Sequence, residues 1–246
     1  FSIMDVAYDP PIPNVTGVLF AVDEAAFPAG YLAAGWAVLQ DPADPQIGYV
    51  GGMQIPPVEQ FVVGYTAGSL DGESNQGGTD AFVAKYDASG IRQWTRFIPG
   101  TAGNDAARAV AVAGSDVYVV GETDFIEATQ GSGFLARYDA SGNIQWGPVS
   151  ISASVLATAR GVTLDNGGNV YVAGYAMGDL NGQLNAGAED PFLMKFDSSG
   201  IPIWTRLWGN GVHNYASGVV SYGSDNIYVV GRAFGSWDGE TNAGDT

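Results

Sequence analysis

The feature that most constrains this chain is an internal repeat. The run Tyr118-Val119-Val120-Gly121 returns as Tyr171-Val172-Ala173-Gly174 and as Tyr228-Val229-Val230-Gly231, with an earlier copy at Phe61-Val62-Val63-Gly64. Their glycines stand 57, 53 and 57 residues apart. A second run, Phe82-Val83-Ala84-Lys85-Tyr86-Asp87-Ala88-Ser89-Gly90, has counterparts at Phe134 to Gly142 and Phe192 to Gly200. A tryptophan follows each: Trp94, Trp146 and Trp204. Three markers in step at 50-odd residues define an array in which each unit covers its apolar faces with its neighbours.

Within a unit the pattern is that of short strands. Phe82 to Tyr86 alternates large and small side chains, as a strand with two unlike faces does. Asp-Ala-Ser-Gly is a tight-turn sequence, because Asp and Ser bond their own backbone and Gly accepts positive φ. The next strand carries the tryptophan, and two more follow, Ala109 to Val112 and Val117 to Val120. No helical period intervenes. Four antiparallel strands about every 53–57 residues predict an all-β chain, a β-propeller or part of one. The repeats divide as 61–118, 119–171, 172–228 and a partial 229–246. Residues 1–60 read as a degenerate N-terminal arm and hairpin region: Pro10, Pro11 and Pro13 favour an extended arm, and Gly35 of a strand-like run lies only 29 residues before Gly64.

The stretch Gly77 to Asp87, with its Ser-Gly turn and tryptophan, resembles the bacterial seven-bladed β-propeller repeat (SBBP-type) family over residues 61–246. The copies at 187–197 and 129–139 depart from the motif, with Ala188, Glu189 and Pro191 in the first and Ser132 for Asp in the second. The resemblance implies a propeller on a bacterial surface or in a secreted protein, and no particular activity.

Charge and cysteine content narrow the function classes. Nine Lys+Arg against 26 Asp+Glu leave a formal charge of −17, which repels phosphate backbones and anionic lipid, so no nucleic acid is expected as partner. No apolar run reaches membrane-spanning length, so no membrane insertion is expected. Without cysteine and with one histidine, zinc and thiol chemistry are excluded. An acidic, disulfide-free, Gly-rich β chain suits an extracellular or cell-surface location in a bacterium.

Few positions escape the repeat. The loop Leu70 to Asp80 returns at Leu180 to Asp190 and begins again at Trp237. Oxygens of Asp71, Asn75 and Asp80, and of Asn181, Asn185 and Asp190, could wrap Ca²⁺ between freely folding glycines. The competing reading is that these side chains bond the loop's own backbone. No other cofactor is expected. The cations Lys85, Arg137 and Lys195, Arg96 and Arg206, and Arg108 and Arg160 fill repeat-equivalent slots, which points to pairing with Asp87, Asp139 and Asp197 between units. His213 stands alone in a link and reads as a polar loop residue. Glu122, Asp124 and Glu127 occupy the loop that departs most from the repeat, and Trp208 and Trp237 are the non-periodic tryptophans. Glu122, Asp124, Trp208 and Trp237 are therefore the expected recognition residues, the tryptophans by stacking on a sugar or filling a partner's pocket.

These readings predict a non-catalytic scaffold or binding module presenting loops to a protein or polysaccharide. One alternative is a self-assembling surface-layer or filament subunit, a homo-oligomer built through exposed strand edges. The other is a carbohydrate-active enzyme using the acids near Glu122.

Overall fold

The computed structural model describes residues 3–4, 19–20, 48–51, 60–100, 102–126, 130–224, 226–236, 240 and 242. All helix-or-strand structure among them is β. A short pair comes first, β1 (Ile3–Met4) with β2 (Leu19–Phe20). A four-stranded sheet follows, from β3 (Gly48–Gly51), β4 (Gln60–Thr66), β5 (Asp80–Tyr86) and β6 (Arg92–Phe97), each antiparallel to the next. Strands β7 (Ala106–Ala113), β8 (Asp116–Ile126), β9 (Gln130–Tyr138) and β10 (Ile144–Ile151) repeat that order. So do β11 (Leu156–Leu164), β12 (Val170–Met177), β13 (Glu189–Phe196) and β14 (Pro202–Leu207). A hairpin of β15 (Asn214–Tyr222) and β16 (Asn226–Ala233) comes last.

The middle strands β8 and β12 are apolar on both faces because each lies between two packed layers. In β8, Val119 turns to the first sheet and packs with Phe61, Val63 and Val83. Its neighbours Tyr118 and Val120 turn the other way, to Val170, Val172, Phe192 and Met194. Tyr171 and Ala173 of β12 then meet Ala216 and Val219 of β15. Val83, Val119 and Val172 are fully buried, each contributing about 1.5–3 kcal/mol relative to an exposed side chain.

The Asp-x-Ser-Gly turns close as their residues dictate. Asp87 Oδ1 accepts from the backbone N–H of Ser89 (2.9 Å) and Ile91 (3.0 Å), and Gly90 adopts φ +76°. Asp139 and Asp197 repeat this geometry. The tryptophan of one unit reaches the turn of the next: Trp94 Nε1 donates to Ala140 O (3.1 Å) and Trp146 Nε1 to Ser198 O (3.2 Å).

The β-propeller expectation is corrected here. The sheets are mixed, and β9 and β11 join the second and third into one eight-stranded sheet through a parallel bridge, Leu156 with Gly131. Among the described residues no ring closes. Closure needs every sheet face covered by a neighbour, yet Tyr228 is 56 % and Val230 63 % exposed on the terminal hairpin, where their counterparts Tyr171 and Ala173 are buried. The repeat lays down strands and stacks them; it does not by itself set how the stack ends.

Candidate solute-binding cleft

Arg108, Arg160 and Ser217 share one structural distinction: each is the extra residue of a β-bulge. The register of β7 on β8 skips between Ala107 and Ala109, that of β11 on β12 between Ala159 and Gly161, and that of β15 on β16 between Ala216 and Gly218. A bulge removes one residue from the ladder and re-aims its side chain. The glycine of the repeated Tyr-Val-Val-Gly run makes the bulge possible. A Cβ on Gly121 would collide with Ala106 O, one on Gly174 with Thr158 O and one on Gly231 with Tyr215 O.

The residue after the repeated glycine varies: Tyr65 and Tyr175 follow Gly64 and Gly174, Glu122 follows Gly121, and Arg232 follows Gly231. Arg108, Arg160, Tyr175, Tyr215, Ala216, Ser217 and Arg232 line a cleft of about 600 Å³. Arg108 also lines a neighbouring hollow of about 430 Å³ with Tyr65, Thr79, Asn104, Asp105, Glu122 and Phe125.

Three of the chain's nine cations thus face one cleft. Arg108 is held by Glu122, its Nε 3.0 Å from Glu122 Oε1. Arg160 donates to Tyr175 OH (3.1 Å) and lies over the Tyr175 ring, 5.4 Å from its centroid. Arg232 lies over Tyr215 (5.2 Å) and Phe234 (4.7 Å), with no carboxylate on its guanidinium among the described residues. A guanidinium over an aromatic ring, as those of Arg160 and Arg232 are, presents donors at its edge, which suits two-pronged recognition of a carboxylate or phosphate. At the rim, His213 Nδ1 contacts Glu189 Oε2, and His213 is stacked parallel to Tyr215. Burial first, and then the charge of Glu189, push the Tyr215 hydroxyl above its ordinary pKa, so it stands in the cleft as a neutral donor.

Of the expected recognition residues, Glu122 belongs to this site, but as a buried acid under the arginines. Asp124 sits at φ +52° beside it, its backbone N–H donating to Asp105 Oδ1 (3.0 Å). Trp208 is half-buried and is not among the cleft-lining residues, with its backbone N–H donating to Pro191 O (3.1 Å). Trp237 and Glu127 lie outside the described residues. Arg108 and Arg160 had been read as architectural, and the pairing foreseen for the repeated cations is different. Asp87, Asp139 and Asp197 cap their own turns, while Arg137 bonds Asp116 (2.7 Å), Lys195 stands near Asp165 (3.8 Å) and Arg96 near Glu73 (3.5 Å). The signal that could have found the cleft was the variable residue after each repeated glycine.

The six loop residues considered for calcium are placed apart in function. Asp71-Gly72 and Asn181-Gly182 form two-residue turns with both φ positive, closed by mutual backbone bonds of Leu70 with Glu73 and Leu180 with Gln183. Asp71 pairs with Arg92 and accepts from Thr95 Oγ1 (2.6 Å), and Asn181 donates to Thr205 Oγ1 (2.8 Å). Asn75 and Asn185 bridge Thr66 O to Gly78 O and Ala176 O to Ala188 O. Asp80 and Asp190 accept from the N–H of Gln76 and Ala186. Among the described residues no three acidic or histidine side chains converge as a metal site.

Comparison with known proteins points elsewhere than the propeller resemblance. The family model described as ABC transporter substrate-binding protein PnrA-like (Bmp) matches residues 1–75. Basic membrane protein B of Borrelia garinii subsp. bavariensis is 32 % identical over 137 residues, covering 49 % of this chain and 38 % of that protein. Basic membrane protein A of Borreliella burgdorferi is 33 % identical over 113 residues, 45 % of this chain and 27 % of that protein. Regulatory protein FlaEY of Caulobacter vibrioides is 26 % identical over 179 residues, 64 % of this chain and 19 % of that protein. The chain therefore spans less than two-fifths of the length of these relatives. Names that refer to a membrane and to a transporter's binding component are compatible with the expected extracellular or cell-surface location. The family resemblance drawn from Gly77 to Asp87 is corrected accordingly, and the scaffold, self-assembling and carbohydrate-active readings fall with it. The acid on which the last depended, Glu122, is fully buried and tied to Arg108. The similarity of this chain to the substrate-binding component of an ABC transporter covers residues 1–75.

Proposed function

We propose that this chain is part of an extracytoplasmic substrate-binding protein, non-catalytic, which captures a small anionic solute for a transporter. The observation that carries this reading is the convergence of Arg108, Arg160 and Arg232 on one cleft in a chain of net charge −17. Glu122, the carboxylate that Arg108 and Arg160 approach, sets one negative charge against three positive ones, so the cluster attracts a further anion. The cleft volume, about 600 Å³, is that of a small-molecule site, and Tyr175 and Tyr215 supply flat apolar walls. The likeness to substrate-binding proteins supports the same reading from a different part of the chain, because it covers residues 1–75 whereas the cleft is built from residues 108–232. A cell-surface or periplasmic site of action follows from the proposed role.

Calorimetric titration with monocarboxylates and inorganic phosphate tests this. Binding should weaken as salt rises and should fall about 10- to 100-fold in Arg160→Ala, the range for a lost charge-assisted contact. Absence of binding by every anion at low salt, or equal binding by wild type and Arg160→Ala, would overturn it.

A further inference from the structure

The cleft holds more positive charge than the acid beside it balances. Arg108, Arg160 and Arg232 line it, and its other lining residues are tyrosine, alanine and serine, all uncharged. Arg108 is already matched, because its Nε donates to Glu122 Oε1 (3.0 Å). Arg160 is not matched in this way. Its terminal nitrogen stands 3.9 Å from Glu122 Oε2, beyond hydrogen-bond reach, and it donates instead to two neutral hydroxyls, Tyr175 OH (3.1 Å) and Thr158 Oγ1 (3.4 Å). Arg232 lies over the Tyr215 and Phe234 rings, with no carboxylate bonded to it among the described residues. The other nearby acids are engaged outside the cleft lining: Glu189 contacts His213, and Asp105 accepts from the Asp124 N–H beside the neighbouring hollow. Two guanidinium groups in the cleft therefore lack a hydrogen-bonded counter-charge.

Resting on the solute-binding reading above, we infer that the solute is a small dianion, with its two negative charges on Arg160 and Arg232. These arginines lie over neighbouring rings, Tyr175 and Tyr215, whose centroids are 4.8 Å apart, so both serve one part of the cleft. A monoanion would satisfy one guanidinium and bring nothing for the other. Ser217, also in the lining, adds a neutral hydroxyl donor. The net charge of −17 repels a dianion more than a monoanion at long range, so a preference for the dianion can arise only from these local charges. Two kinds of solute share this chemistry: a phosphate monoester, with both charges on one group, and a dicarboxylate, with one at each end. A cleft of about 600 Å³ admits either.

The test is calorimetric titration of the whole chain, at low salt and pH 8, with succinate, monomethyl succinate and glycerol phosphate. At that pH a phosphate monoester, whose second pKa is about 6, is doubly charged. The tighter of the two dianions should bind at least ~10-fold more strongly than monomethyl succinate, the effect of one added charge-assisted contact. Which of the two is tighter shows whether the charges sit on one group or on two. Arg232 is exposed, so Arg232→Gln is expected to fold, and there the preference should shrink to about 3-fold or less. Monomethyl succinate binding as tightly as both dianions, or an undiminished preference in Arg232→Gln, overturns the dianion inference and leaves the anion site intact. No binding by any of the three overturns the solute-binding reading beneath it.

Discussion

At the scale of single residues, carboxylates in this chain act mainly through hydrogen bonds to nearby backbone. Asp165 shows how that becomes pH dependence. Burial raises its pKa, but donors from the Asn169 side chain and backbone, the Tyr171 hydroxyl and the Gly167 N–H outweigh burial and hold it below its usual 3.8. With the folded value below the unfolded one, the unfolded chain takes up the proton first as pH falls. Its contribution to stability is therefore complete above about pH 5 and is lost progressively as pH drops through the folded value. Thermal melts of wild type and Asp165→Asn between pH 7 and pH 3 should converge at the acid end; parallel curves would contradict this assignment.

At the scale of elements, the bulges and the inter-unit contacts make separable predictions. Gly174→Ala places a methyl against Thr158 O and the Phe192 ring, with backbone on one side and a core aromatic on the other. Overpacking of this kind costs about 1–3 kcal/mol, read as a lowered urea midpoint, and it should also weaken anion binding because it disturbs the bulge that carries Arg160. Trp146→Phe keeps most of the ring contact with Tyr118 (centroids 6.1 Å apart) but loses the bond to Ser198 O. A loss of about 0.5–1.5 kcal/mol is expected in the same assay, with no change in anion affinity. An effect on affinity there would mean that the tryptophan contact positions the cleft.

For the whole molecule, net charge and local charge oppose each other. The chain carries −17, so an anion meets repulsion at long range and attraction only inside the arginine cleft. Moderate salt screens both, and the approach rate should therefore change less with salt than the equilibrium affinity, a contrast that stopped-flow and calorimetry can separate. The Asp71 and Asn181 loops are closed by their own hydrogen bonds and ion pair. A calcium chelator should accordingly leave the melting temperature unchanged. A fall of several degrees would instead establish the calcium site considered for Asp71, Asn75, Asp80, Asn181, Asn185 and Asp190.

Much of the local structure was legible from residues alone, because its causes are local. Asp-x-Ser-Gly closes a turn wherever it occurs, Asp-Gly and Asn-Gly accept two positive φ angles, and the spacing of Tyr-Val-Val-Gly marks the strands. Glu122 was singled out for the right reason, its departure from the repeat, but as a recognition residue on a loop, whereas it is a strand residue buried beneath two arginines. Arg108 and Arg160 were missed because a repeated cation looks architectural until the register of β7 and β11 shows each to be the extra residue of a bulge. Tertiary structure alone decided three things: how the sheets join through Leu156 and Gly131, that the terminal hairpin leaves Tyr228 and Val230 open, and that residues 124 positions apart, Arg108 and Arg232, line one cleft. The reason is physical. Turn and strand preferences are set by a few neighbouring dihedrals and side chains, whereas closure and convergence depend on how stacked sheets pack over the whole chain, which no single repeat encodes.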